Sequence, residues 1–255
     1  MASIEFKAAV LCGGEGKRLR PLTYYFQKTM IPIGGRQKPL LEYIVRLLRK
    51  HGLKNIVLLV GYKWEQIKNY FEDGSRFSVK IEYVKDKPGI KGTAGALYNA
   101  YKEGVLEADN ILVYYGDILS TINLSNVLEY HREKKAAATI VLSKGYRVRV
   151  GVAHIDSKGY IKYFEEKPVL QLPVSVGILV LRHEVFELLR DIVERYPNPD
   201  LMSHLIPYLM DKEFPVAGYL TDEFWYDVGS IERYEKMSEL NNVEEALADL
   251  LNDQL

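Results

Sequence analysis

Four strand-like stretches occupy the first half of the chain: the apolar runs Ala8 to Leu11, Ile56 to Val60 and Ile111 to Tyr115, and the stretch Val79 to Val84. Between them, apolar residues recur at helical spacing. Leu41, Ile44, Val45 and Leu48 stand at i, i+3, i+4 and i+7, one face of a helix that Gly52 ends. Trp64, Ile67 and Phe71 mark a second helix, stopped at Asp73-Gly74, and Ala94, Leu97 and Tyr101 a third. Strand and helix alternate without a break. A chain of that kind folds as an α/β, doubly wound, mostly parallel sheet. Such sheets take ligands at the carboxyl ends of their strands.

The second half changes character. Leu124, Val127, Leu128 and His131 lie on a helix, followed by a strand from Ala138 to Leu142. Gly151 to Ile155 and Tyr160 to Glu165 flank Asp156-Ser157-Lys158-Gly159, a turn suited to an antiparallel hairpin elaboration. Val176 to Leu181 reads as a strand, Val185 to Val193 as an amphipathic helix, and Val216 to Leu220 as a further strand. Ile231 to Asn241 is expected to be helical. Neither repeats nor linkers are visible, so residues 1–242 read as one domain and 243–255 as an acidic amphipathic tail. That tail is a candidate contact in a homo-oligomer.

The residues after the first strand are Leu11-Cys12-Gly13-Gly14-Glu15-Gly16-Lys17-Arg18-Leu19-Arg20-Pro21. Glycines at this density let backbone N–H groups approach a ligand with no Cβ in the way. Cations follow directly, and a bare backbone nest flanked by cations suits a polyphosphate. Two familiar phosphate loops are excluded. A Walker A loop would need glycine at Leu11 and a hydroxyl at Arg18, and a dinucleotide-binding turn would need glycine at Leu19.

Composition narrows the partners. Lys+Arg and Asp+Glu balance at 34 each, so no global field favours nucleic acid or an anionic membrane. The single cysteine, Cys12, excludes an intrachain disulfide and a cysteine-based zinc site, and it fits a cytoplasmic location. No apolar run approaches the roughly 20 residues of a membrane span, and the N-terminal stretch lacks the apolar region of a signal peptide. Abundant tyrosine and charge resemble a heat-adapted composition.

Several motifs arrive in one order: Gly13-Gly14-x-Gly16-x-Arg18-Leu19-x-Pro21, Lys28, Lys38-Pro39-Leu40, Gly92-Thr93-Ala94-Gly95-Ala96, Gly116-Asp117, Gly151-Val152, Glu166-Lys167-Pro168 and Asp227-Val228-Gly229. Together they resemble the sugar-1-phosphate nucleotidylyltransferases, the NDP-sugar pyrophosphorylases, over residues 6 to 240. The resemblance implies a Rossmann-like catalytic domain that makes a nucleotide-sugar and pyrophosphate from an NTP and a sugar 1-phosphate. Some relatives carry a C-terminal β-helix domain, and this chain is expected to lack one.

The implied reaction is in-line attack of a sugar-phosphate oxygen on the α-phosphorus. The nucleophile is already an anion, so the chemistry asks for charge neutralisation and alignment rather than a general base. The resemblance implies that Leu11, Gly13, Gly14, Gly16, Lys17, Gly92, Thr93 and Gly116 bind the nucleotide. Arg18 would hold the β and γ oxygens and stabilise the leaving pyrophosphate, and Lys28 would lie near the α-phosphate. Asp117 and Asp227 would together hold one Mg²⁺. Gly151, Glu166, Lys167 and Ser175 would serve the sugar phosphate. All five histidines are assigned to structure.

Base choice is less sharply marked. Lys87 to Lys91 lacks the glutamine common in thymidylyl members, and Gly92-Thr93-Ala94-Gly95 looks more like the guanylyl and some uridylyl enzymes. The reading leans to UTP or GTP with glucose- or mannose-1-phosphate, with a dTTP-using enzyme as the alternative. A catalytically silent, nucleotide-sugar-sensing paralogue would lack Arg18 or a metal aspartate. A glycosyltransferase would carry Asp-x-Asp where Asp117-Ile118-Leu119 stands.

Overall fold

The computed structural model describes residues 5–89, 91–148, 150–237 and 243–252. Its central sheet contains β1 (Phe6–Cys12), β2 (Asn55–Val60), β3 (Lys80–Lys85), β4 (Asn110–Tyr115), β5 (Ala138–Ser143), β6 (Val174–Arg182) and β7 (Val216–Thr221). Across the sheet the order is β7-β5-β6-β4-β1-β2-β3. β4, β1, β2 and β3 run parallel, as the alternation predicts. β6 is antiparallel to both β4 and β5, and β7 is parallel to β5.

Helices α1 (Leu40–Lys50), α2 (Trp64–Phe71), α3 (Gly92–Lys102), α4 (Leu124–Lys134), α5 (Val185–Arg195), α6 (Ile206–Asp211), α7 (Ile231–Met237) and α8 (Val243–Asn252) complete the fold. Successive side chains on a strand point to opposite faces, so a fully buried strand must be apolar throughout. β1 does this: Ala8, Val10 and Cys12 enter one core layer, and Ala9 enters the other. The first layer is closed by α1, α2 and α4, the second by α3, α5 and α6.

Lys28–Met30 forms a single 3₁₀ turn. The buried Gln27 side chain causes it, accepting hydrogen bonds from Thr29 N at 2.6 Å and Thr29 Oγ1 at 2.7 Å. The tail is more than an appendage: Leu247 and Leu250 are each 2% exposed and join the core layer that α1 closes. The hairpin is as expected, Val152–Ile155 pairing with Ile161–Glu165. Asp156 shapes its turn, its Oδ1 accepting from Lys158 N at 2.9 Å and Tyr160 N at 3.0 Å. Residues 238–241 of the helix expected over Ile231 to Asn241 lie outside the described residues. Among the described residues no helix is long and apolar enough to cross a membrane.

Candidate functional site

The segment after β1 leaves the sheet at its carboxyl edge. Gly16 adopts φ +63°, a left-handed conformation that favours glycine, and starts the 3₁₀ turn Lys17–Leu19. Leu19 is fully buried and anchors the loop, while Thr23 Oγ1 donates to Gly16 O at 3.0 Å. A Cβ on Gly14 would meet nothing within 4 Å, so bare backbone faces open space there. Leu11, Gly13, Gly14, Lys28, Gly92 and Thr93 all line one cavity of about 570 Å³. The sequence motifs that imply nucleotide binding therefore converge on one side of the sheet edge.

Gly92 starts α3 at φ +73°, and a Cβ there would lie 2.0 Å from Pro199 O. Thr93 is tied down in the same place. Its Oγ1 donates to Asp200 Oδ2 at 2.9 Å and accepts from Leu201 N at 2.9 Å. These contacts, with Ala94 N–H donating to Pro199 O at 3.1 Å, fix the N-terminus of α3 beside the cavity that Gly92 and Thr93 line. Gly116 is buried and lines neither cavity described here. It lets β4 pack against β1, since a Cβ would stand 2.7 Å from Leu11 O.

A second cavity, about 790 Å³, opens beside the first and shares Tyr115 and Asp117 with it. Ser175, Gly177, Trp225, Asp227, Arg233 and Lys236 line it. Asp117 and Asp227, far apart in sequence, are neighbours here. The ribbon Ile118–Ser120 pairs antiparallel with Trp225–Asp227, and Val228 N–H donates to Asp117 O at 2.8 Å.

Each carboxylate has a cation. Lys28 Nζ donates to Asp117 Oδ2, both side chains being less than one-fifth exposed. Arg233 Nη1 pairs with Asp227 Oδ2. Asp227 Oδ1 is buried and has no hydrogen-bond partner among the described residues. A free lone pair on a buried carboxylate oxygen, beside a second carboxylate, is a hard oxygen donor set of the kind Mg²⁺ takes. No group of three or more His, Cys, Asp or Glu gathers among the described residues, so phosphates and water would have to complete any such coordination.

The remaining expected residues stand apart. Arg18 is exposed and lines neither cavity, yet it leans over the 227–229 turn. A Cβ on Gly229 would lie 3.3 Å from Arg18 Nη2 and 2.5 Å from Asp227 Oδ1. Lys17 points away into a surface pair with Glu15 at 3.3 Å. Gly151, Glu166 and Lys167 sit on the outlying hairpin, outside both cavities. Phe164 and Glu166 fill the space a Cβ on Gly151 would need, with Phe164 Cζ at 2.0 Å. Glu166 and Lys167 pair with each other at 3.5 Å, both more than half exposed.

Three residues escaped the sequence reading. Asp86, at the carboxyl end of β3, lies against Gly13, where a Cβ would meet its Oδ2 at 2.4 Å. Partial burial holds its carboxyl above the usual range. A lone aspartate at a strand end is its signal in the sequence, and taken by itself that reads as a cap. Gln27 Nε2 donates to Cys12 O at 2.5 Å and fixes the turn carrying Lys28. Arg233 sits in an ordinary charged helix and carries no local signal at all. Cys12 itself lines the first cavity, but burial pushes its thiol up to about 12, so it is no nucleophile.

A mostly parallel sheet with helices on both faces, a glycine-rich turn at its carboxyl edge and two adjoining cavities define an α/β protein of Rossmann-like type. The chain belongs to the nucleotidyl transferase family, whose model matches residues 7–243. It is 34% identical over 243 residues to UTP–glucose-1-phosphate uridylyltransferase of Synechocystis sp., covering 89% of this chain and 61% of that protein. It is 31% identical over 247 residues to mannose-1-phosphate guanylyltransferase of Mycobacterium tuberculosis, covering 93% of this chain and 65% of that one. The chain thus spans less than two-thirds of the length of either relative. The crystal structure of HddC from Yersinia pseudotuberculosis shares the fold, with a TM-score of 0.69 at 21% identity, over 91% of this chain and 98% of that one.

Proposed function

We propose that this protein transfers a nucleotidyl group from an NTP to a hexose 1-phosphate, releasing pyrophosphate. One observation carries the reading: two cavities meet at Asp117, with Asp227 hydrogen-bonded alongside through the next residue's backbone. The first cavity, with its bare glycine backbone, suits the triphosphate. The second, with Trp225 and Tyr226 in its wall, suits a sugar ring.

Asp117 and Asp227 would hold Mg²⁺, which would supply charge neutralisation between the two phosphoesters. Lys28 reaches the seam from the nucleotide side and would carry charge developing at the α-phosphorus. Arg18 stands over the 227–229 turn, exposed and without an ion pair among the described residues, free to turn onto the outgoing pyrophosphate. Glu166 and Lys167 would reach the sugar only by movement of their hairpin.

UTP and GTP with glucose- or mannose-1-phosphate remain the favoured substrates, since the two relatives described above are named for those pairs. A relative of Bacillus subtilis, 29% identical, is named a probable glucose-1-phosphate cytidylyltransferase, so identity of this order does not choose the base. The test is a grid of five NTPs against hexose 1-phosphates, reading Mg²⁺-dependent pyrophosphate. Release with at least one pair is expected. Tight nucleotide-sugar binding with no release for any pair would replace transfer by sensing.

A further inference from the structure

The second cavity must accept a dianionic sugar phosphate although two carboxylates, Asp117 and Asp227, stand in its wall. Among the described residues lining it, the only basic side chains are Arg233 and Lys236. They lie three residues apart on α7, so both project from one side of that helix. Lys167, which the motif resemblance would give this task, is on the exposed hairpin and faces Glu166 instead. We infer that Arg233, assisted by Lys236, is the anchor for the phosphate of the sugar 1-phosphate. The inference rests on the transfer reaction proposed above.

The chemistry of Arg233 fits an exchangeable counter-ion. Its guanidinium neutralises Asp227 Oδ2, while Asp227 Oδ1 is buried and has no hydrogen-bond partner among the described residues. The position of the helix is itself fixed. Tyr226 Oη donates to Arg233 O at 2.8 Å, and Arg233 N–H donates to Ser230 Oγ at 3.4 Å. Only the side chain is left to move. A divalent cation held at the unpartnered Oδ1 would compete with the guanidinium for the charge of Asp227 and leave Arg233 free to pair with a second anion. The nearest acceptor of the right shape is then a phosphate, whose oxygens match the guanidinium fork two at a time. Lys236, exposed and without an ion pair among the described residues, adds a second positive charge on the same side.

This ordering makes sugar-phosphate affinity depend on the divalent cation through Arg233. The experiment is fluorescence titration of the whole chain with glucose 1-phosphate and mannose 1-phosphate, with and without Mg²⁺ and UTP or GTP. Trp225 in the cavity wall is the reporter, Trp64 lying outside it. Arg233→Gln is expected to weaken sugar 1-phosphate at least tenfold, in Kd and in KM, while the NTP KM stays within twofold. Arg233→Lys should recover part of the loss, Lys236→Gln should cost about threefold, and Lys167→Gln less than twofold.

If Arg233→Gln fails to fold, Arg233→Lys and Lys236→Gln decide the matter, and unchanged sugar-phosphate affinity in both overturns the assignment. A variant that alters only the Mg²⁺ requirement makes Arg233 a place-holder for the cation and overturns it too. A larger loss from Lys167→Gln than from Arg233→Gln hands the phosphate to the hairpin and likewise overturns the assignment. Absence of turnover in the wild-type chain sinks the transfer reading instead. The titration with sugar 1-phosphate still reads the anchor in that case.

Discussion

Asp117 sits where the two cavities meet and has only Lys28 as its counter-charge among the described residues. Replacing it with alanine removes one carboxylate from the proposed cation site and leaves a partly buried ammonium unpaired. Asp117→Ala is therefore expected to abolish pyrophosphate release while retaining the native circular dichroism spectrum. Turnover restored by saturating Mg²⁺ would remove Asp117 as a ligand. Arg18→Ala is expected to lower kcat by a factor on the order of 10², and a change confined to the sugar 1-phosphate KM would assign Arg18 to the other substrate. In sequence the aspartates were legible through the motif resemblance alone, since a strand-end aspartate taken by itself reads as a cap and Asp227 as a turn residue before Val228-Gly229. Arg233 was not, because an arginine on a surface-type helix looks the same whether or not a cavity lies beneath it. Only the ribbon that folds Asp227 back onto Ile118 reveals what Arg233 faces.

Elements were legible where periodicity speaks and silent where it does not. Each central strand begins and ends within about two residues of its expected stretch; the inner strands are apolar because both faces are buried, while edge strand β3 alternates, with Lys80 and Lys85 exposed. The orientation of β6 was not legible, since an apolar run has no direction. The two-residue ribbons, such as Tyr146–Arg147 with Val169–Leu170, are too short for any pattern. His131 shows how an element is fixed by a group the pattern misreads. It lies on the apolar face of α4, buried, with Nδ1 2.7 Å from Thr139 Oγ1 of β5 and Nε2 3.1 Å from Asn110 Oδ1 of β4. Burial pulls its pKa from 6.5 down to about 4. The unfolded chain therefore takes up this proton before the folded one does. The stability is present in full above pH 6.5 and is lost as the pH falls from there to about 4. Urea unfolding across that window should lose on the order of 2–3 kcal/mol through this group. His131→Gln should be less stable at pH 7 and show a flatter acid limb, and an identical pH slope in the variant would locate the acid sensitivity elsewhere.

At the scale of the whole molecule, the last helix ties the end of the chain to its beginning. α8 packs against α1, and Arg36 Nη2, just before α1, donates to Asn252 Oδ1 at 3.1 Å. Leu247 and Leu250 lie in the same core layer as Leu41, Ile44 and Leu48. The same layer contains Val228 and Met237, which flank the segment carrying Arg233. An acidic amphipathic tail read alone suggests a surface for a second subunit, because its apolar stripe has no visible partner in sequence. In the fold that stripe is spent inside the subunit. Burying two leucines is worth about 1.5–3 kcal/mol each, an upper bound against a real unfolded chain. Removing residues 243–255, or making the Leu247→Ser, Leu250→Ser double variant, should therefore lower the urea midpoint markedly. Unchanged stability in both variants would make the helix an appendage. A change in light-scattering mass at unchanged subunit stability would return the leucines to an interface between copies.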